Sequence, residues 1–340
     1  MSEIPDEGKR LVQFHSNLTN DAEITALYKL VRSFIRQAET YYRAARTLHY
    51  RSSALLYYYC FLNLAKAVLS VRGLPYDARH GLTSKIDAAN IDTAAQAVEV
   101  HAAGVFPAFY QQQVQATLPH GVRLDIKNLL GYVAQVAYQY ETAKLGRSAV
   151  YHSCYARLLG HFPNDQGWWT IAVPRDYDFT ALPTPNRQRF DDEFEEVELS
   201  KESARECFGI FATSLPAYRF YQSKTVTTWS TGIPRELPLV SLFGCMEGYI
   251  EPKYVEDGCD FTLSRPFIHP FGPFRMTELP AIYLVMFYLG SLVRYRPDYL
   301  DDLLETRAAW MLEGFVTSAP LTALRAFVSK ITDKVYVFNK

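Results

Sequence analysis

The sequence predicts a mainly helical protein of the α+β class, with one helical core drawn from both ends of the chain and a β-containing insert between them. Three observations lead there. The stretch Ala54–Arg72, ALLYYYCFLNLAKAVLSVR, is apolar on almost every face, the pattern of a helix buried on all sides. A second nearly all-round apolar run, Ala281–Val293, lies in the last third. Between them, from Trp168 onward, the composition turns to β-formers punctuated by proline.

Taken in order, residues 1–19 read as a loosely held arm. From Asn20 or Asp21, either of which can cap a helix, Ile24, Leu27, Val31, Ile35, Ala38, Tyr42 and Ala45 recur at helical spacing. The other face carries Lys29, Arg32, Arg36, Arg43 and Arg46, interrupted by Glu39. Such a row is a solvated face or a surface for an anionic partner. Arg51, Ser52 and Ser53 offer a short connection to the buried helix, so the two helices should pair as an antiparallel hairpin. Gly73 and Pro75 end the second helix, and Asp77–Ser84 follows as a surface loop. Ala88–Ala103 reads as a helix and Gly104–Gln113 as an extended stretch broken by Pro107. Leu124–Tyr140 has helical periodicity that resumes after Gly146 and runs to Leu159, and Pro163 closes this half.

In the insert, an acidic run at Asp191–Glu198 precedes Ser200, which caps a helix over Lys201–Thr213, and Leu215–Pro273 resumes short strands and loops. Thr277 and Glu278 open the second apolar helix, which ends at Arg294–Pro297 and should pack beside the first. Asp298–Phe315 and a Ser318-capped segment, Pro320–Thr332, supply two more helices, and Lys334–Phe338 a closing strand. The organisation is an arm over 1–19, a helical region over 20–162, an insert over 163–276, and helices over 277–340 that pack on the first helical region.

With 35 Lys and Arg against 36 Asp and Glu, the overall field gives no argument for nucleic acid or an acidic membrane. The 49% hydrophobic content excludes global disorder. Five cysteines, odd in number and never in a CxxC pair, suit a reducing cytoplasm, with Cys60 a small hydrophobe of the core. The N-terminus has no apolar h-region, and the runs Ala54–Leu62 and Pro280–Val293 fall short of the about 18 residues of a membrane span, so a cytoplasmic protein without a membrane partner is expected. The familiar nucleotide, zinc and hydrolase signatures are missing, and no cofactor or metal is expected.

Leu55-Leu-Tyr-Tyr-Tyr59, Leu64-Ala-Lys-Ala67 and His80-Gly-Leu-Thr83, followed late in the chain by Tyr288-Leu-Gly-Ser-Leu-Val-Arg-Tyr-Arg-Pro297, make the sequence similar to the YaaC-like family of bacterial proteins. The resemblance covers the organising helices, leaves the middle region and the arm aside, and implies a soluble bacterial protein without naming a reaction.

Two constellations are candidates for function. Tyr59, Asn63, Lys66 and Ser70 line one stripe of the buried helix. A buried ammonium needs an acceptor or counter-charge, so Lys66 should face a carboxylate or a bound anion. Where the two apolar helices meet, Asn63, Lys66, His80, Arg294 and Arg296 form the candidate ligand site, a cationic cleft for a small molecule bearing phosphate or carboxylate. The alternative is that Lys66 and Arg294 pair with Asp298, Asp301 or another internal carboxylate and only fix helix geometry.

The second constellation is Arg147 and His152, whose four-residue separation is similar to the Rx4-6H signature of HEPN-type ribonucleases; Arg43 and His49 also fit it. That resemblance implies a helical, metal-independent endoribonuclease of a toxin or defence system, with histidine as acid or base and arginine stabilising charge at phosphorus. His269 and Trp168-Trp169 read as structural. The leading expectation is a cytosolic, non-catalytic binding protein with an anionic small molecule or RNA as ligand. Aromatic richness also suits a homodimer or a protein partner.

Overall fold

The computed structural model describes residues 3–87, 96–114, 116–145, 151–161, 166–175, 177, 184–210, 212–228, 250–255, 258–264, 276–306 and 308–332. The chain divides into two compact units, Met1–Ala149 with Phe267–Tyr336, and Val150–Pro266 with Val337–Lys340.

The first unit opens with three helices, α1 (Glu3–Ser16), α2 (Asp21–Thr47) and α3 (Tyr50–Val71). The stretch expected to be a loose arm is therefore largely α1. It is held by buried Val12 and by Gly8, where a Cβ would stand 2.5 Å from the Tyr28 ring of α2. The Asn20 side chain accepts from the Ala22 N–H to cap α2, which buries Ile24, Val31, Ala38 and Ala45 at intervals of seven. His49 caps α3, so the break falls two residues before Arg51. Tyr41 stacks on Tyr59, Tyr42 meets Tyr57 edge-on and Phe34 lies under Lys66, an order that makes α2 and α3 the expected antiparallel hairpin.

An antiparallel three-stranded sheet follows, β1 (Leu82–Lys85), β2 (Ala97–Val100) and β3 (Val122–Asp125), in that spatial order. Gly104–Gln113 is not extended: Val105–Val114 forms α4. Pro107 falls in the first turn, where its missing N–H breaks no helical hydrogen bond, and the Val105 and Phe106 N–H groups donate to the Arg79 and His80 carbonyls. The helix expected over Leu124–Tyr140 is broken into α5 (Ile126–Leu130), a 3-10 turn at Ala134–Val136 and α6 (Ala137–Thr142). The apolar positions Leu129, Leu130, Val133, Val136 and Tyr140 are buried as their spacing required.

Among its described residues the second unit has an antiparallel sheet and two α-helices. Its elements are β4 (Tyr151–His161), β5 (Gln166–Pro174), α7 (Thr184–Glu193), β6 (Phe194–Val197), α8 (Lys201–Phe208), β7 (Tyr218–Ser223), β8 (Thr227–Thr228), β9 (Ile250–Val255) and β10 (Gly258–Ser264). The strand order is β6-β7-β5-β4-β10-β9, with β8 on β5. A helix was expected as far as Leu159, yet β4 is central, paired with β5 and β10. A half-apolar run does not by itself distinguish helix from strand, and pairing with the next strand, β5, and with the distant β10 decided it. Ser200 caps α8 as expected, and Gly209, at φ +66, ends it before Thr213. Ala204 and Phe208 of α8 pack with Ala172, Ile210 and Phe220.

The chain then completes the first unit with α9 (Glu278–Tyr295), α10 (Pro297–Leu304) and α11 (Ala309–Thr332). The closing Lys334–Phe338 stretch lies outside the described residues. Instead of a new helix capped by Ser318, α11 runs through Pro320, which is itself buried. α9 packs on α3, as the two apolar runs required. Gly290 makes the approach: a Cβ there would lie 3.3 Å from Leu55 Cα and Tyr58 Cβ, and Tyr58 meets Tyr283 and Phe287 edge-on at 6.1 and 5.3 Å. Phe327 of α11 contacts Phe61 of α3 and Phe109 of α4 at 5.8 and 5.1 Å. At 22 residues, longer than its uninterrupted apolar run, α3 has the length and composition of a membrane span; 72% of that window is buried inside the fold.

Replacing Gly290 with leucine is expected to lower the stability of the first unit by about 1–3 kcal/mol or more, because backbone and not a flexible side chain stands in the way. The shift of the urea midpoint at unchanged m-value measures it.

Candidate anion-binding site

α3 is not buried on every side. Leu55, Leu56, Tyr59, Leu62 and Lys66 are partly exposed, and the Tyr59–Lys66 stripe turns toward α2. Within it, buried Asn63 spends one amide hydrogen on the Tyr59 carbonyl at 2.8 Å, and Ser70 Oγ lies 3.2 Å from the Tyr76 hydroxyl. The Lys66 ammonium stands 5.8 Å from the Phe34 ring centroid, and among the described residues no carboxylate pairs with it. Partial exposure resolves the expected charge problem: the stem packs on an aromatic face and the head keeps water.

Arg294 sits in the last turn of α9, where a cation offsets the helix dipole. Its Nη1 donates to the Tyr59 hydroxyl at 3.0 Å, and its guanidinium lies 4.9 Å from the Tyr295 ring. Tyr59 is in turn stacked on Tyr41 at 5.5 Å. The guanidinium is thus held in place while using one of its five N–H donors, and no described carboxylate pairs with it. Lys66 is seven residues from Tyr59 on the same face of α3, about 10 Å along the axis. The two cations bracket a strip formed by the Tyr41–Tyr59 stack and Phe34.

The other expected site residues fall differently. Arg296 is matched: its Nε and Nη2 grip Asp298 at 3.1 and 3.0 Å, and it holds that carboxyl below its usual pKa. It fixes the start of α10, whereas the structural alternative had named Lys66 and Arg294, not Arg296, as the partners of Asp298 or Asp301. His80 rests its ring on Phe287 at 5.3 Å, and its Nδ1 accepts the Leu82 N–H at 3.1 Å. Burial against its neighbours, and then His101, push its pKa below the ordinary imidazole value. At neutral pH it is an Nε2–H donor, not the cation that the sequence suggested. Its placement depends on Gly81, at φ +77, where a Cβ would stand 2.7 Å from Pro107 Cδ and 2.9 Å from the Ala103 carbonyl. Phe287 and Arg294 lie two turns apart on α9, so His80 and Arg294 flank the same helix–helix contact.

Arg147 lies outside the described residues. His152 belongs to β4, opposite Leu263, and not to the helix that the ribonuclease resemblance implied; its side chain also lies outside. In the other loose match, Arg43 pairs with Glu39 at 2.6 Å and His49 caps α3. Trp169 is buried and donates its backbone N–H to Ser223 Oγ, whereas His269 is not described. Burial raises the Cys60 thiol to about 12, in keeping with a packing role. Among the described residues no three His, Cys, Asp or Glu side chains gather at metal-binding distance.

A family model described as YaaC-like Protein matches residues 11–331. The chain belongs to the YaaC-like family. No curated protein and no solved structure matches it. The YaaC-like match takes in both resemblance blocks and also the middle region, where the sequence showed none.

In this YaaC-like fold, two residues were not picked out for what they do. Tyr41 supplies the second ring of the stack; its signal was an aromatic at helical spacing opposite Tyr59. Glu278, almost fully buried, accepts the Ala134 N–H at 2.6 Å and ties the 3-10 turn to the start of α9. A lone carboxylate in the first turn of an otherwise apolar helix was the clue.

Because the folded protein disfavours protonated His80, the unfolded chain takes up its proton first. The contribution of His80 to stability is therefore complete above the ordinary imidazole pKa of about 6.5 and declines as pH falls through it. Thermal melts from pH 8 to pH 5 should show a shallower decline for His80→Gln than for the parent.

Proposed function

We propose that this YaaC-like chain is a non-catalytic binding protein of the bacterial cytoplasm that accepts a phosphate- or carboxylate-bearing ligand on the Arg294–Tyr59–Lys66 surface. The observation that carries this reading is an exposed guanidinium pre-oriented by Tyr59 and free of any described carboxylate, with a second cation that no described carboxylate pairs, Lys66, on the α3 face that carries Tyr59. An arginine fixed by a neutral hydroxyl keeps its charge for an incoming anion and has lost side-chain freedom before binding. The aromatic strip between the cations offers an apolar face to the body of the ligand. The scattered cysteines, of which Cys60, Cys154 and Cys207 are free thiols, support a reducing compartment. The ribonuclease reading has no comparable support, since the helical setting that it needs is absent at His152.

Titration with inorganic phosphate, citrate and AMP should show saturable binding that Arg294→Ala and Lys66→Ala each weaken by about 10-fold or more, the scale of one charge-assisted contact. Unchanged affinity in both variants removes the site. Incubation with total RNA and a chelator should leave the RNA intact; metal-independent fragments that His152→Ala abolishes would favour the ribonuclease instead.

A further inference from the structure

The basic row of α2 has no part in the surface just described. At 100° per residue, Lys29, Arg32, Arg36, Arg43 and Arg46 fall within about one quarter of the helix circumference, on the far side of α2 from Phe34 and Tyr41. All five are exposed. The row spans 18 residues, about 25 Å, and carries five cations and one carboxylate in a chain whose charges as a whole nearly balance. Only Arg43 has a partner, Glu39; among the described residues Lys29, Arg32, Arg36 and Arg46 form no ion pair.

A face that merely keeps a helix in water mixes both signs at i,i+3 and i,i+4, because such pairs add stability and like-charged neighbours subtract it. Here Lys29 with Arg32, Arg32 with Arg36 and Arg43 with Arg46 are like-charged neighbours at those spacings. Four of the five cations are arginine, whose planar fork grips phosphate oxygens in pairs, and they stand in line along a helix that buries Val31, Ala38 and Ala45. A membrane partner would want a continuous apolar face beside the charges; Ile24, Val31, Ala38 and Ala45 of α2 are buried, and Leu30 and Ile35, the large apolar side chains that α2 leaves exposed, make no such face. From this placement we infer that the basic flank of α2 is a docking surface for the phosphodiester backbone of a nucleic acid, bound without reading its sequence.

The test is the salt dependence of binding by the full chain to a labelled 20-nucleotide single strand and to its duplex, followed by anisotropy from 50 to 300 mM salt. Four unpaired cations predict a slope of log K against log salt of about −3 for the strand and about −3.6 for the duplex. Arg32→Gln with Arg36→Gln, both exposed, should flatten the slope by about 1.4 and 1.8 respectively, weaken binding at least 10-fold at 100 mM salt, and leave Tm unchanged or higher. Arg294→Ala should keep the parental slope. No salt-dependent binding by the parent, a parental slope in the double variant, a slope lost in Arg294→Ala, or equal competition by polyglutamate of matched length would each overturn the inference.

Discussion

The first unit depends on the close approach of α3 and α9. Two apolar helices can cross at such short range only if one contact point carries no side chain, and Gly290 supplies it against Leu55 and Tyr58. Tyr58 then wedges between Tyr283 and Phe287, and the Tyr283 ring passes the contact on to Phe106 and Phe109 of α4. The Tyr58 and Tyr283 hydroxyls are buried in this aromatic cluster, and burial holds both phenols well above their ordinary pKa. Because the backbones meet at Gly290, Arg294, one turn on, is near enough for its guanidinium to reach the Tyr59 hydroxyl. The candidate site is a by-product of tight packing beneath it.

Much of this arrangement was legible from residue order alone. Two all-round apolar runs must bury one another, and they do; the heptad of Ile24, Val31, Ala38 and Ala45 set the inner face of α2; Ser200 capped its helix. The failures share a cause. β4 looked helical because its partners, β5 and β10, lie downstream, and β10 begins almost a hundred residues beyond the end of β4. α4 looked extended because Pro107 was read as a breaker, when its first-turn position and the carbonyls of Arg79 and His80 make proline acceptable there. Local chemistry set the caps and faces, whereas distant strands and loops decided the rest.

The site was legible by residue type but not by pairing. Lys66 and Arg294 were reached by asking which cations lack a counter-charge, and both lack one among the described residues. Nothing in the spacing showed that Asp298, two residues from Arg296, would neutralise it through its own fork, or that Phe287 and His101 would keep His80 neutral. The polar stripe of α3 was real, but Tyr59 and Lys66 lie against rings of α2, and Arg294 of α9 reaches the stripe at Tyr59 alone among the described residues, since residues on one helix define a common face without saying which neighbour will cover it.

The division of the chain has a consequence for its synthesis. α3 ends at Val71, and the helix that covers one side of it, α9, begins at Glu278. At the usual pace of translation, about 5–20 residues per second, that flank waits roughly 10–40 s for its partner while the whole strand-rich unit emerges. During the interval a 22-residue greasy rod, sheltered on the ribosome by α2 alone among the long helices, is a target for chaperones and for membrane-insertion machinery alike. The fold thus carries a kinetic hazard that its finished form conceals.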